Sequence, residues 1–421
     1  MKRRDFLCCS AGTLAVTALP LHRALAAPAT KAGTGRKFLF VVNYGGWDPT
    51  RVFATEFDNV NVDMERAARL AEIGDLKFVE HDDRPSVTSF FDRYSSRSTI
   101  FNGILVPSVA HENCLRWIMT GSTRQDGSDW GAIAGGVLGS EYALPHVVAA
   151  GPSYPGDFGA FVTRTGTSGQ LPALLDRSIL DWSDQAVRAP SARAEAVMDD
   201  YLRRRVDAYA KGAALGSQAT QAAAYQGALD RAATLKGLGS VVNWSSSGSF
   251  AEQLGFAVDL LSLGITRCVT TQFSYNSWDT HINNDTDQSA NFESLFSGLL
   301  DLFDLLKATP GEVEDSLLDE TVVVVLSEMG RTPQLNSGLG KDHWPYTSAM
   351  VVGPGVSGGR TIGGLDSYYY GQPVDMATGE VDEENGQSMS ADVFGATLLT
   401  LAGVDSEEYL PGVAVVTGAL S

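Results

Sequence analysis

Six short apolar runs constrain this chain more than any other feature: residues 37–44, 99–105, 145–150, 266–273, 321–327 and 348–353. Each has the length of a strand and lacks the polar alternation of a half-exposed one, so each reads as a strand buried on both faces. Helical patterns separate several of them: in 86–94, 250–263, 291–308 and 391–401 apolar residues recur at three- and four-residue intervals. In the third of these, Phe292, Leu295, Phe296, Leu299, Leu302, Phe303 and Leu306 form one stripe, the face that packs on a sheet. Buried strands alternating with amphipathic helices predict an α/β fold with a mostly parallel central sheet covered by helices on both faces.

A sheet of this kind needs a sizeable core, and 421 residues at 44% hydrophobic and 19% charged supply one without disulfide staples. The charge balance excludes one class of partner. Lys and Arg number 31 against 50 Asp and Glu, a formal net charge of −19, which repels phosphate backbones, so nucleic acid is not an expected partner.

The first residues read as an address. Arg3 and Arg4 precede Phe6-Leu7, residues 8–20 are apolar but too few to span a bilayer, and Ala24-Leu25-Ala26 offers the small-x-small pattern of a cleavage site. The segment resembles a twin-arginine signal peptide over 1–26, with a folded domain over 27–421 in the periplasm or secreted. Cleavage there removes Cys8 and Cys9 and leaves Cys114 and Cys268, whose pairing the sequence leaves open. No other stretch is a candidate for a membrane span. Residues 191–238 are rich in Ala, Arg and Gln, with Val197, Tyr201, Val206 and Tyr209 at helical intervals, and read as an inserted helical hairpin.

Ligands of open α/β sheets bind at the carboxyl ends of the strands, so polar residues just after the apolar runs are the candidates for chemistry. The first run delivers Asp48 after Gly45-Gly46, and the run around Cys268 is followed by Trp278-Asp279-Thr280-His281. The run 321–327 passes directly into Glu328-Met329-Gly330-Arg331, and Lys341-Asp342-His343-Trp344 follows closely. Carboxylates and imidazoles gathered at one edge from distant segments are the ligand set of a divalent-metal hydrolase. Each residue also has a plainer reading: an Asp after a strand caps a turn, and a His hydrogen-bonds in a core.

The wording and order of these segments carry a resemblance. Tyr44-Gly45-Gly46-Trp47-Asp48, Trp278-Asp279-Thr280-His281, Ser327-Glu328-Met329-Gly330-Arg331-Thr332-Pro333 and Asp342-His343-Trp344-Pro345 are similar to the signature segments of the exported bacterial family called domain of unknown function 1501. That resemblance implies an alkaline phosphatase-like α/β sandwich, the superfamily of sulfatases and phosphatases, and one or two divalent metal sites filled by Zn, Mn, Mg or Ca. It implies Asp48, Asp279, His281, Glu328 and His343 as metal ligands, with Asp342 adjusting His343. Arg331 would contact a small anionic ester. The chain departs from the superfamily pattern at two places: Glu328-Met329 stands where an Asp-His pair is usual, and Ala110-His111 stands where a hydroxyl nucleophile is expected. His111 is then a metal or substrate ligand, and Ser108 and Cys114 lie nearby. Two functional readings stay open: a metal-dependent hydrolase of phosphate or sulfate esters, and a non-catalytic exported binding or assembly protein on the same fold.

Overall fold

The computed structural model describes residues 35–139, 141–165, 190–212, 217–238, 248–273 and 278–421. The proposed signal segment 1–26 lies outside them.

In chain order the strands are β1 (Lys37–Asn43), β2 (Arg69–Ile73), β3 (Leu76–Glu80), β4 (Ser98–Leu105), β5 (His146–Val148), β6 (Val162–Arg164), β7 (Cys268–Phe273), β8 (Thr321–Ser327), β9 (Gly330–Arg331), β10 (His343–Trp344), β11 (Tyr346–Val352) and β12 (Arg360–Ile362). The helices are α1 (Pro85–Tyr94), α2 (His111–Thr120), α3 (Trp130–Leu138), α4 (Ala192–Gly212), α5 (Ser217–Leu238), α6 (Phe250–Ser262), α7 (Asn284–Ala308), α8 (Ala391–Leu401) and α9 (Ser406–Tyr409).

Eight strands form one sheet in the order β12-β4-β11-β8-β1-β7-β5-β6. β1 lies between β8 and β7 and is parallel to both, β5 is parallel to β7 and β6, and β12 is parallel to β4. β11 alone is reversed, antiparallel to both β4 and β8. The sheet is thus mostly parallel, as the apolar runs predict.

Strand periodicity divides the core. Leu39 and Val41 of β1 pack with Val323, Val325, Met350 and the apolar faces of α1, α6 and α7. Their neighbours Phe38, Phe40 and Val42 point the other way, to α2, α3 and α8. Both faces are covered, which is why the central strands carry no polar alternation. Cys114 and Cys268 are both buried and unpaired; burial raises the thiols to about 11 and about 12, as expected of inert core residues.

The structure departs from the sequence reading in instructive places. The apolar stripe predicts a helix from 291, yet α7 begins at Asn284, because its first two turns bury Asn284, Gln288 and Ser289 instead of apolar side chains. The β2–β3 hairpin escapes the apolar-run criterion because most of its β2 residues are exposed. Residues 191–238 contain α4 and α5, which pack on each other, and α4 contributes no buried side chain.

Close packing of α8 on α3 gives a direct test. A methyl group on Gly395 would run into the Trp130 indole, which is buried and fixed by a 2.8 Å bond from its Nε1–H to the Ile118 carbonyl. Gly395→Ala is expected to destabilise the fold by about 1–3 kcal/mol, read as a lower denaturant midpoint at unchanged slope.

Candidate metal centre

Five segments meet at the carboxyl edge of the sheet: the loops after β1, β4, β7 and β8, and β10, which enters at this edge because β11 is reversed. The loop after β1 is shaped by Gly45 and Gly46, both with positive φ (124° and 77°). A Cβ at Gly45 would come within 2.8 Å of the Asp279 backbone nitrogen, so the approach of the two loops requires glycine. The turn aims both amides at one carboxylate. Gly45 and Gly46 N–H donate to Glu328 Oε1 and Oε2 at 2.8 and 3.2 Å, and the Ser327 hydroxyl donates to Oε2 at 2.9 Å. Glu328 is completely buried at the end of β8.

His111, the first residue of α2, completes this nest with Nδ1 2.7 Å from Glu328 Oε1. The hydrogen bond to Glu328 raises its pKa above the ordinary imidazole value, against the opposing effect of burial. Two further imidazoles are held in the same way. His281 Nδ1 is 2.8 Å from Asp342 Oδ1, and His343 Nδ1 is 2.7 Å from the Val109 carbonyl oxygen. A carboxylate and a carbonyl can only accept, so each of the three rings carries a proton on Nδ1 and turns Nε2 toward the cluster.

The three Nε2 atoms converge on Asp279. His281 Nε2 and His343 Nε2 each lie 3.1 Å from Asp279 Oδ1 and 3.1 Å from each other, and His111 Nε2 lies 3.6 Å from Asp279 Oδ2. One ligand atom each from His111, Asp279 and His343 falls within 4.8 Å of the others. Arg331 braces the carboxylate: Nη2 donates to Asp279 Oδ1 at 2.7 Å, while Nε reaches the Gly46 carbonyl at 2.8 Å and Nη1 the Lys341 carbonyl at 3.1 Å. A further bond from Nη2 goes to the Gly45 carbonyl. Burial pushes the Asp279 carboxyl up, but the Arg331 hydrogen bond and charge, with the His343 contact, outweigh it and hold it at about 2.

The sequence-predicted residues therefore take distinct places. Asp279, His281, His343 and His111 are brought together. Glu328 and Asp342 stand behind imidazoles, and Asp342 meets His281 rather than the expected His343. Arg331 is completely buried, with all three guanidinium nitrogens engaged by the protein.

Asp48 lies apart, in a separate buried network. Its oxygens accept from Thr50 N–H and Oγ1–H at 3.1 and 2.6 Å and from Asn284 Nδ2 at 2.8 Å, and Lys341 Nζ and Arg51 Nη2 stand 2.9 and 3.3 Å away. Desolvation raises the Asp48 carboxyl, and the two cations more than reverse it, holding it well below the ordinary carboxylate range. Arg51 and Asn284 are neighbours of Asp48 that sequence reasoning missed, and Lys341, read there only as part of a cluster with Asp342 and His343, supplies its opposing charge. Lys341 adjoins Asp342-His343, and Asn284 and Gln288 sit four residues apart on one face of α7, a polar pair at a position where core residues follow.

Removing one member of a buried ion network leaves an uncompensated charge. Lys341→Met is expected to cost about 3–5 kcal/mol in chemical denaturation, whereas Asp342→Asn, at an exposed carboxylate, should shift stability far less.

Solved structures distantly similar to the chain include three that illustrate the range. The PsFucS1 sulfatase from Pseudoalteromonas sp. is 12% identical, with 97% of this chain and 75% of that one covered at a TM-score of 0.40. A protein of the alkaline phosphatase superfamily from Vibrio parahaemolyticus is 9% identical over 92% and 74% of the two chains, at 0.38. The phosphonate monoester hydrolase of Agrobacterium radiobacter is 11% identical over 90% and 77%, at 0.31. No curated protein matches the chain in sequence. The family model described as a protein of unknown function, DUF1501, matches residues 95–414, a span that contains His111, Asp279, His281, Glu328, Arg331, Asp342 and His343, and the chain belongs to that family.

Proposed function

We propose that the protein is an exported hydrolase of small anionic esters, phosphate or sulfate, built around one divalent cation held by His111, Asp279, His281 and His343. One observation carries this reading. With Nδ1–H committed on each ring, His281 Nε2 and His343 Nε2 face each other and Asp279 Oδ1 at 3.1 Å. Two ring nitrogens so close to each other and to a carboxylate are the arrangement that a shared cation would satisfy. The donor set fits a metal: imidazoles with one carboxylate suit Zn or Mn, whereas Mg and Ca prefer all-oxygen cages.

The Asp48 network supports one metal rather than two. A second cation at Asp48 would have to displace the Lys341 ammonium from a fully buried site. Export rests on the Arg3-Arg4 segment and its cleavage pattern. Among the described residues no helix is long and apolar enough to cross a membrane.

A bound cation would supply Lewis-acid polarisation of an ester oxygen and of a water molecule. The protein's part is orientation. Glu328 and Asp342 fix the ring planes of His111 and His281, Glu328 raises the basicity of His111, and Arg331 keeps Asp279 ionised and in place. The attacking group is water: Ala110 stands where a hydroxyl is expected, the Ser327 hydroxyl is bonded to Glu328, and the Cys114 thiol is buried and raised to about 11. In the reaction the water oxygen bonds to phosphorus or sulfur, the bond to the organic oxygen breaks, and that oxygen leaves with a proton from the water.

Elemental mass spectrometry of the purified protein should find about one Zn or Mn per chain, lost in His343→Ala and His111→Ala, and the loaded protein should turn over phosphate or sulfate monoesters. Absence of metal from a stable wild-type protein would establish the non-catalytic binding or assembly role instead.

Metal and proton also compete for His111, whose proton is held above the ordinary imidazole value of about 6.5. Affinity should therefore rise between pH 6 and pH 8, with more protons released per metal at pH 6, measured by calorimetry in buffers of different ionisation enthalpy. Flat affinity across that range would remove His111 from the ligand set.

A further inference from the structure

Four residues that adjoin the histidine cluster carry large exposed apolar side chains: Tyr44, Val109, Ile282 and Leu339 are 39%, 51%, 62% and 64% exposed. Each is tied to a cluster residue. The Tyr44 ring lies 5.3 Å from that of His111, the Val109 carbonyl receives His343, Ile282 follows His281, and Leu339 pairs with Ile282 in an antiparallel bridge. Apolar residues exposed singly are ordinary on a protein surface, but four bordering one polar cluster are not.

The Ile282–Leu339 bridge is built at a conformational cost. Asn283 and Leu339 both have left-handed backbone, φ 52° and 55°, which is uncommon for Asn and rarer for Leu. The segment is nonetheless well fastened. Asn336 Oδ1 accepts from Gly338 and Gly340 N–H at 2.9 and 3.0 Å, Asn336 Nδ2 donates to the His281 carbonyl at 3.0 Å, and Asn284 N–H donates to the Leu339 carbonyl at 2.8 Å. Backbone strain that lifts a leucine into solvent gains nothing from core packing, and strain of this kind clusters at ligand clamps.

From this geometry we infer that the rim seats an apolar organic group of the ester, so that the substrates are amphiphilic alkyl or aryl esters with the anionic head at the histidine cluster. The inference rests on the metal-dependent ester reading above. Other occupants fit less well. Four side chains fall far short of the roughly 20–30 residues per side of a stable protein interface, and a net charge of −19 repels an anionic bilayer. The rim residues are also tied directly to cluster residues, Tyr44 by its ring to His111 and Val109 by its carbonyl to His343, which puts an apolar group within reach of a ligand at the cluster.

The test uses the metal-loaded protein and non-hydrolysable methyl-, butyl- and octylphosphonate, at concentrations below micelle formation, in titration calorimetry. Affinity should rise about two- to fourfold per added methylene over the first few carbons, the upper figure being a fully buried CH₂. Ile282→Ser and Leu339→Gly should each reduce the ratio of octyl to methyl affinity severalfold. Leu339→Gly relieves the left-handed backbone, so a reduced ratio in that variant cannot be ascribed to unfolding. Metal-dependent binding with no chain-length dependence would overturn the apolar seat and leave the ester reading standing. No metal-dependent binding of any phosphonate would overturn both. Capture of phosphatidylcholine vesicles, or self-association lost in Ile282→Ser, in place of the chain-length effect would reassign the rim to a membrane or to a second copy.

Discussion

Everything at the functional edge depends on how one buried carboxylate is satisfied. Glu328 is removed from water at the end of β8, where an unpaired charge would be prohibitively costly. It is stabilised by two amides from the loop after β1, the hydroxyl of the residue before it, and an imidazole from the start of α2. These contacts fasten the start of α2 to the ends of two paired strands, β1 and β8. The positive φ of Gly45 and Gly46 is what turns their amides inward, so a local conformational allowance in the loop sets the orientation of His111.

The topology multiplies this effect. β1 sits between two parallel partners, so the loops after β7, β1 and β8 emerge side by side and place Asp279, Glu328 and the glycine turn within hydrogen-bonding range. β11 contributes through its reversal: its entry, not its exit, lies at this edge, so His343 precedes a strand where the other polar residues follow one. Behind the cluster, Lys341 and Arg51 neutralise Asp48 and tie the loop after β1 to the polar first turns of α7. The result is a two-layer arrangement, with imidazoles and one carboxylate toward solvent and an internal network of lysine, arginine and aspartate beneath.

Much of this was legible in the sequence, for identifiable reasons. Fully buried strands must be continuously apolar, so the central strands and the edge that carries the site could be read directly. Asp279, His281 and His343 could be named because polar residues that directly follow or precede such runs stand at the sheet edge where ligands bind. Roles within the site were less accessible. Glu328 read as a ligand, and Asp342 as the partner of His343 rather than His281, because a carboxylate near a histidine looks the same in sequence whichever ring it meets and whether it faces a metal or the back of that ring. Asp48 read as a ligand because nothing in its neighbourhood announces that Lys341, nearly three hundred residues later, supplies the opposing charge. The polar start of α7 was hidden by the same logic: Asn284 and Gln288 are buried to serve a network, which hydrophobic periodicity cannot detect.

The residues that converge on Asp279 come from the start of α2, the loop after β7 and β10, so the cluster cannot exist until strands from both halves of the chain are paired. A cation held there would bind the native state and almost nothing else, since an unfolded chain offers its histidines one at a time. Occupancy would then act as a check on assembly as well as a contribution to stability. A chain stalled before β8 and β11 dock would lack both the Glu328 support and the His343 ring, and would remain metal-free however well its first half had folded.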